Sequence, residues 1–434
     1  MPSERAPLPP RSVTCSLHNL AGLFAAGAAF AALSSSSQPT LHLALLVLCI
    51  LAVTIGALDL WRLGVHRRES AGLELERPRS PNLARVAVKW LGLAGTLGGL
   101  ALLYWLIPEY HSGFYQPAAM AVRLVGGPLL VMVAGGIFLL DGRLRQPEDG
   151  FFQMGLLLLG RSARLDREAL RLHVLGWAVK GFFTPIMFVY LCNVLSDVRE
   201  LNPARFSSGE VVRVVTLLSL AVDLIFTVSG YLFSFRLLDT HIRSVDATLL
   251  GWMVTLICYR PLWDGLERPY FAYHGDNWEA WVGHGALGWI WCAAICVCLV
   301  VYAWSTLTFG LRFSNLTHRG ILTNGPYRIS RHPAYLSKNL SWWLVSVPFL
   351  SSAGVEDALR RSLLLLLVNG IYLLRARTEE RHLGQDPAYR AYAVWMDEHG
   401  PLRFLNRRLP FLRFRPPAPP APPAGEGPCA AATL

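Results

Sequence analysis

The sequence predicts an all-α integral membrane protein of about ten transmembrane helices, and three observations lead to that class. Of its 434 residues, 53% are hydrophobic and only 16% charged, with a positive mean hydropathy. A soluble domain is nearer a quarter charged. Apolar windows of roughly 18–25 residues recur, each long enough to cross a hydrocarbon core of ~30 Å. Helices are the spanning element because a segment in lipid must satisfy its own backbone polar groups. Finally, arginine is concentrated in every second connecting loop.

Spans are expected at 18–35, 41–61, 86–107, 118–140, 172–195, 211–235, 247–262, 285–305, 337–352 and 362–375. Between them, 62–85, 141–171, 236–246, 312–336 and the tail after 375 are rich in arginine. The segments 34–40, 108–117, 196–210, 263–284 and 353–361 are poorer in basic residues or balanced by acids. The positive-inside rule then puts both termini in the cytoplasm. The formal charge of +11 is read as topology and contact with anionic lipid headgroups, not as a nucleic-acid surface. Lysine occurs only at 89, 180 and 338, a bias that fits a GC-rich genome and a bacterial inner (plasma) membrane. Arg5 and Arg11 ahead of Leu20 to Leu33 imitate a signal peptide, but the many spans that follow favour a retained first helix.

The chain divides near residue 245. Residues 1–245 hold about six helices to which no chemistry is assigned, 246–412 hold the polar motifs, and 413–434 form a Pro/Ala-rich tail expected to be disordered. In the first part, Lys89 and Arg123 lie near span ends and can snorkel, while Lys180 and Asp223 could pair inside the bundle. The aromatics of 263–284 suit an interfacial belt. Cys292, Cys296 and Cys298 share one span without His or Asp at ligand spacing, and read as packing residues rather than a metal site.

The chemistry lies in the last third. Thr323-Asn324-Gly325-Pro326 is a turn signal. Arg331-His332-Pro333 then places a proline in the first turn of a helix, where its missing N–H costs nothing. The free N–H groups at that helix start can receive a carboxylate. On the returning helix Tyr372, Arg375 and Glu379 lie about one turn apart on one face. Arg375 can meet an anion arriving from the bilayer, and Glu379 and Glu380 a cation arriving from water. Adjacent glutamates point in different directions, so one is expected to bind ligand and the other to hold the loop through Arg328 or Arg331. A cation with an amino-acid end and an aromatic body describes S-adenosyl-L-methionine, whose sulfonium and ammonium favour carboxylates and aromatic faces. Tyr327, Tyr335, Tyr389, Tyr392 and Trp395 could supply the faces. Methyl transfer needs in-line positioning in a dry site. A carboxylate acceptor needs no base, whereas an amine must arrive neutral or meet one, such as His332 or a glutamate.

The series Thr-x-Gly-Pro-Tyr-x-x-x-Arg-His-Pro-x-Tyr, an apolar hairpin, Arg-x-Arg-Thr-Glu-Glu-x-x-Leu and Tyr-x-x-Tyr, from about His318 to Trp395, resembles the isoprenylcysteine carboxyl methyltransferases. It is similar, more loosely, to the membrane phospholipid methyltransferases. The resemblance implies cytosolic S-adenosyl-L-methionine held by Gly325, Tyr327, His332, Pro333, Tyr335, Glu379 and Glu380, with Tyr389 and Tyr392 covering it. It places Arg375 nearest the acceptor group and makes Arg375, Glu379 and His332 the expected catalytic residues. It implies a lipophilic or lipidated acceptor entering laterally, methylated at a carboxylate oxygen or at a headgroup nitrogen. The segment after Tyr335 (Leu-Ser-Lys-Asn) lacks the glycine common there, and Val394 to His399 replaces the usual Val-Pro segment. Two other classes fit the pattern less well. An NADPH-dependent membrane reductase of the sterol-reductase type would use Arg328, Arg331 and Arg381 on a phosphate, against the repulsion of the paired glutamates. A scaffold or transporter lacks a midplane motif or inverted repeat.

Overall fold

The computed structural model describes residues 10–201, 207–270, 273, 276–283 and 285–416. The Pro/Ala-rich tail beyond 416, the first nine residues and parts of the 263–284 loop lie outside the described residues. Among the described residues fifteen α-helices follow in chain order: α1 (Ser16–Leu33), α2 (Thr40–Arg62), α3 (Leu83–Leu106), α4 (Gln116–Asp141), α5 (Gly150–Leu158), α6 (Arg167–Arg199), α7 (Ser208–Leu232), α8 (Leu249–Leu256), α9 (Leu262–Tyr270), α10 (Trp278–Val282), α11 (Gly285–Phe309), α12 (Pro333–Ser346), α13 (Val355–Leu383), α14 (Pro387–His399) and α15 (Arg403–Arg408). The only paired strands among the described residues are β1 (Ser244–Val245) and β2 (Thr317–His318), antiparallel, with Ser244 opposite His318.

Among the described residues seven helices, α1 to α4, α6, α7 and α11, are long and apolar enough to cross a membrane. Their outward faces are those of a lipid-facing protein. Only 6% of the apolar window of α4 is buried, and Val122, Val131 and Leu139 point outward from it. A water-soluble protein rarely leaves so continuous an apolar surface uncovered.

The other three expected spans take different forms. The span 247–262 breaks after eight residues of α8, and the chain turns before α9. The span 337–352 becomes α12, whose 14 residues cover only about 21 Å. The span 362–375 is the middle of the 29-residue α13. Its charged ends close the apolar window without ending the helix, because nothing between Gly354 and Gly384 breaks it.

The alternation of loops is visible in their contacts. The arginine-rich segments meet one another: Leu73 bridges Leu144, Glu74 N–H donates to the Arg143 carbonyl (2.6 Å), and Arg68 lies 3.6 Å from Asp239. β1 pairs with β2 in the same layer. The opposite loops also meet. Arg199 donates to the carbonyls of Ser34, Ser36 and Gln38, Arg260 approaches Glu109, and Ser352 N–H donates to Asp276. The chain thus has two loop layers joined by helices. Contacts also cross the division near 245, where α7 packs along α11 and α1 reaches α11.

Four expectations about single elements are corrected. The 141–171 loop contains α5, which lies against α3 because Gly92 and Gly155 bring the two backbones together. A Cβ at Gly92 would stand 1.9 Å from the Phe151 carbonyl oxygen, and one at Gly155 2.1 Å from that of Val88. Lys89 does not snorkel: it is buried against Asp141 (3.0 Å) and Asp149 (3.3 Å), since the fold of α5 delivers Asp149 to it. Lys180 and Asp223 do not pair. Lys180 lies over the Trp177 ring, whereas Asp223 accepts from Tyr302 and Thr306, each at 2.7 Å. Of the aromatics of 263–284, Trp278 and Tyr273 are buried rather than interfacial, Trp281 is exposed as expected, and Phe271 lies outside the described residues; Trp278 packs on Val212, Ile295 and Val347.

Gly155→Leu would drive a side chain into the α3 backbone. The expected cost is ~2 kcal/mol, read as a lower thermal midpoint of the detergent-solubilised protein. An unchanged midpoint would refute the close α3–α5 crossing.

Candidate functional site

The irregular backbone after α11 leads to the turn at 325–328. Gly325 sits at φ +56°, and a Cβ there would lie 2.8 Å from Thr308 Oγ1 and 3.2 Å from Trp304 Nε1, so any side chain at position 325 is strained. The turn buries Tyr327, whose ring stands edge-on to Phe309 and whose carbonyl accepts from Tyr392 Oη (2.6 Å). His332 caps α12 and Pro333 opens it, as the sequence pattern requires.

From α13, Glu380 reaches back to that helix start. It is buried and receives Arg331 Nε (2.7 Å), His332 Nε2 (3.1 Å) and Arg377 Nη1 (2.9 Å). Arg331 also binds Asp397 on α14 and the Leu412 carbonyl. Burial alone pushes the Glu380 carboxyl up, but the His332 hydrogen bond and the neighbouring positive charges outweigh it and hold it down at about 2. This carboxylate fastens α12, α13 and α14 together.

Glu379, next in the chain, points elsewhere. It is half-buried, accepts from Tyr335 Oη (3.0 Å) and lies 3.9 Å from His332 Nδ1. The His332 and Tyr335 rings stack with planes 4° apart. One turn earlier Arg375 is 5% exposed, faced by the rings of Tyr259, Tyr335 and Tyr372 and donating to Asn315 (3.2 Å). Its Nε has no hydrogen-bond partner, and no carboxylate lies within ion-pair reach among the described residues. Tyr335, Arg375 and Glu379 line a cleft of about 420 Å³, part of it open solvent. Only about 40 Å³ of it is enclosed, well below the range of small-molecule sites, so a nucleoside-bearing ligand enters only as the rim opens.

The expected residues therefore fall into three groups. Tyr335, Arg375 and Glu379 line the cleft; His332 stands between it and Glu380. Gly325, Tyr327, Pro333 and Glu380 shape the loop and the helix start. Tyr389 and Tyr392 are buried on Ile321, Met396 and Phe414, behind the loop. Three further cleft residues, Asp246, Asn315 and His382, escaped the sequence reading. They lie on or beside the β1–β2 pairing and the end of α13, and neither spacing nor composition singles them out. His382 meets Ser244 Oγ at 3.1 Å, and burial lowers its pKa, so it enters the cleft neutral. Lys338 is a further unexpected cation, facing Tyr302, Trp342 and Tyr372.

A family described as "Protein of unknown function (DUF1295)" matches residues 270–395, under a third of the chain. That family is distantly related to steroid 5-alpha reductase and methyltransferase-like membrane proteins. The chain has no significant match among curated proteins or solved structures.

The Glu380 network sets a pH dependence. Its carboxyl titrates near 2 instead of the ordinary 4.5. A depressed value means that the network stabilises fully above about pH 4.5 and loses that contribution as pH falls toward 2. The loss is on the order of 3 kcal/mol. Glu380→Gln should be ~3 kcal/mol less stable at pH 7, leaving Arg377 without its buried counter-charge and Arg331 with Asp397 alone, and should lack this acid-range slope. Parallel pH–stability curves for the two proteins would refute the assignment.

Proposed function

We propose that this chain is an integral-membrane, S-adenosyl-L-methionine-dependent methyltransferase acting on a lipophilic acceptor. The acceptor group is a carboxylate oxygen or a lipid headgroup nitrogen. In this reading the long apolar helices cross a bacterial inner membrane, and the cleft opens to the cytoplasm.

One observation carries the reading: the cleft presents a carboxylate, Glu379, and a buried guanidinium without a carboxylate partner, Arg375, one helical turn apart on α13. When bound, the cofactor supplies an electrophilic methyl group on a sulfonium. Glu379 offers its ammonium or sulfonium a counter-charge, and the stacked His332 and Tyr335 rings offer it flat faces. Arg375, pinned by Asn315 and three tyrosines, orients an acidic acceptor by its free N–H. An acidic acceptor needs no base. For an amine, neutral His382 can take the proton. Burial of Arg375 and the surrounding rings excludes water, which strengthens each charge interaction.

The reductase alternative would need basic contacts for a phosphate. Arg331, one of the three arginines suited to it, is already committed to Glu380 and Asp397.

Equilibrium binding of S-adenosyl-L-methionine and NADPH to the purified protein tests the proposal. Micromolar S-adenosyl-L-methionine binding is expected, weakened about tenfold or more by Glu379→Gln or His332→Ala, the equivalent of ~1.4 kcal/mol per decade. Saturable NADPH binding in its place, or full affinity in both variants, would sink it.

A further inference from the structure

We infer that residues 10–19, ahead of and within α1, are a strap that sets the geometry of the 321–328 turn. Asn324 is the positioning residue through which the strap acts. The inference assigns a task to the start of the N-terminal region, and it rests on the methyltransferase reading only for what the turn holds.

The contacts span some three hundred residues of sequence. Val13 N–H donates to the Ile321 carbonyl (3.1 Å), and Thr323 Oγ1 to the Pro10 carbonyl (2.6 Å). The Asn324 side chain is gripped on both sides. Its Oδ1 accepts from Ser12 Oγ (2.8 Å), and its Nδ2 donates to Ser16 Oγ (3.0 Å) and to the Thr14 carbonyl (3.3 Å). The strap is itself moored at its middle and at its α1 end. Thr14 Oγ1 donates to the Thr308 carbonyl (2.8 Å), buried Asn19 to the Leu307 carbonyl (2.9 Å), and Arg68 Nη1 to the Val13 carbonyl (2.9 Å).

The backbone from 313 to 332 has little regular structure apart from β2 and the 325–328 turn, so few of its polar groups are held by a helix or a ladder. Left alone, such a segment keeps conformational freedom that a ligand must remove on binding. The strap removes it beforehand. Its last contact, Asn324, is one residue before Gly325, and the Asn324 carbonyl accepts from Tyr327 N–H (3.2 Å). The chain then runs directly to Arg331 and His332. A device of this kind affects ligand affinity through loop order, without touching the ligand.

The test is amide hydrogen exchange across 321–329 in the full-length protein, alongside S-adenosyl-L-methionine binding. It compares wild type, Ser12→Ala/Asn324→Ala and Ser12→Thr, with residues 183–195 of α6 as an internal control for folding. In the double variant, exchange at 321–329 should rise about tenfold, the control should not change, and Kd should rise about tenfold, the effect of one or two lost hydrogen bonds. Ser12→Thr, which keeps the hydroxyl, should behave as wild type. Unchanged exchange at 321–329 overturns the strap, as does a Ser12→Thr protein as loose as the double variant. Faster exchange with unchanged Kd overturns the positioning role. If wild type binds no S-adenosyl-L-methionine, the methyltransferase reading fails, and the exchange comparison alone decides the strap.

Discussion

Asp239 is wholly buried, yet three arginines converge on it: Arg243 at 3.2 Å, Arg312 at 3.3 Å and Arg68 at 3.6 Å, with Ser70 donating at 2.9 Å. A charge taken out of water persists only if its partners replace the lost hydration. Here one carboxylate serves guanidinium groups from three separate connecting segments, so it ties those segments into one layer. Asp141 repeats the device with Arg85 and Lys89, and Glu380 repeats it with Arg331, His332 and Arg377. With 40 basic residues against 29 acidic ones, the buried acids are shared. Sharing turns a charge excess that suits a membrane surface into a set of specific tethers between loops.

The candidate site follows from this arrangement. Since Glu380 is consumed by the tether, its neighbour Glu379 is the carboxylate that lines the cleft. The tether also fixes where His332 stands, and through the His332–Tyr335 stack it fixes the aromatic wall facing Arg375. The rigid part of the site and its ligand-facing part thus use adjacent residues of one helix for opposite purposes. Two charged side chains side by side on α13 can divide the work because successive positions on a helix are rotated by about 100°.

The intramembrane polar residues show how little a hydropathy profile says about partners. Asp223 finds hydroxyls from Tyr302 and Thr306 on α11, not Lys180 on α6. Lys338 on α12 faces the same Tyr302 ring. Which residue a buried charge meets depends on the rotation of each helix about its axis. An apolar window of nearly uniform hydrophobicity does not specify that rotation.

The sequence by itself determined the membrane class, seven of the helices, the division of loops into two layers and the Gly325 turn with its helix start at Pro333. Each of these is a local property, carried by composition, by charge spacing or by the backbone limits of glycine and proline. Tertiary structure decided the rest. It broke the expected span at 247–262, continued α13 through its charged ends and inserted α5 at a glycine crossing. It also gave Glu380 and Glu379 their separate roles, brought Asp246, Asn315 and His382 to the cleft, and laid residues 10–19 against the 321–324 segment. Those outcomes are contacts between positions distant in sequence, selected by packing and by the need to compensate each buried charge. No periodicity along a single segment records them.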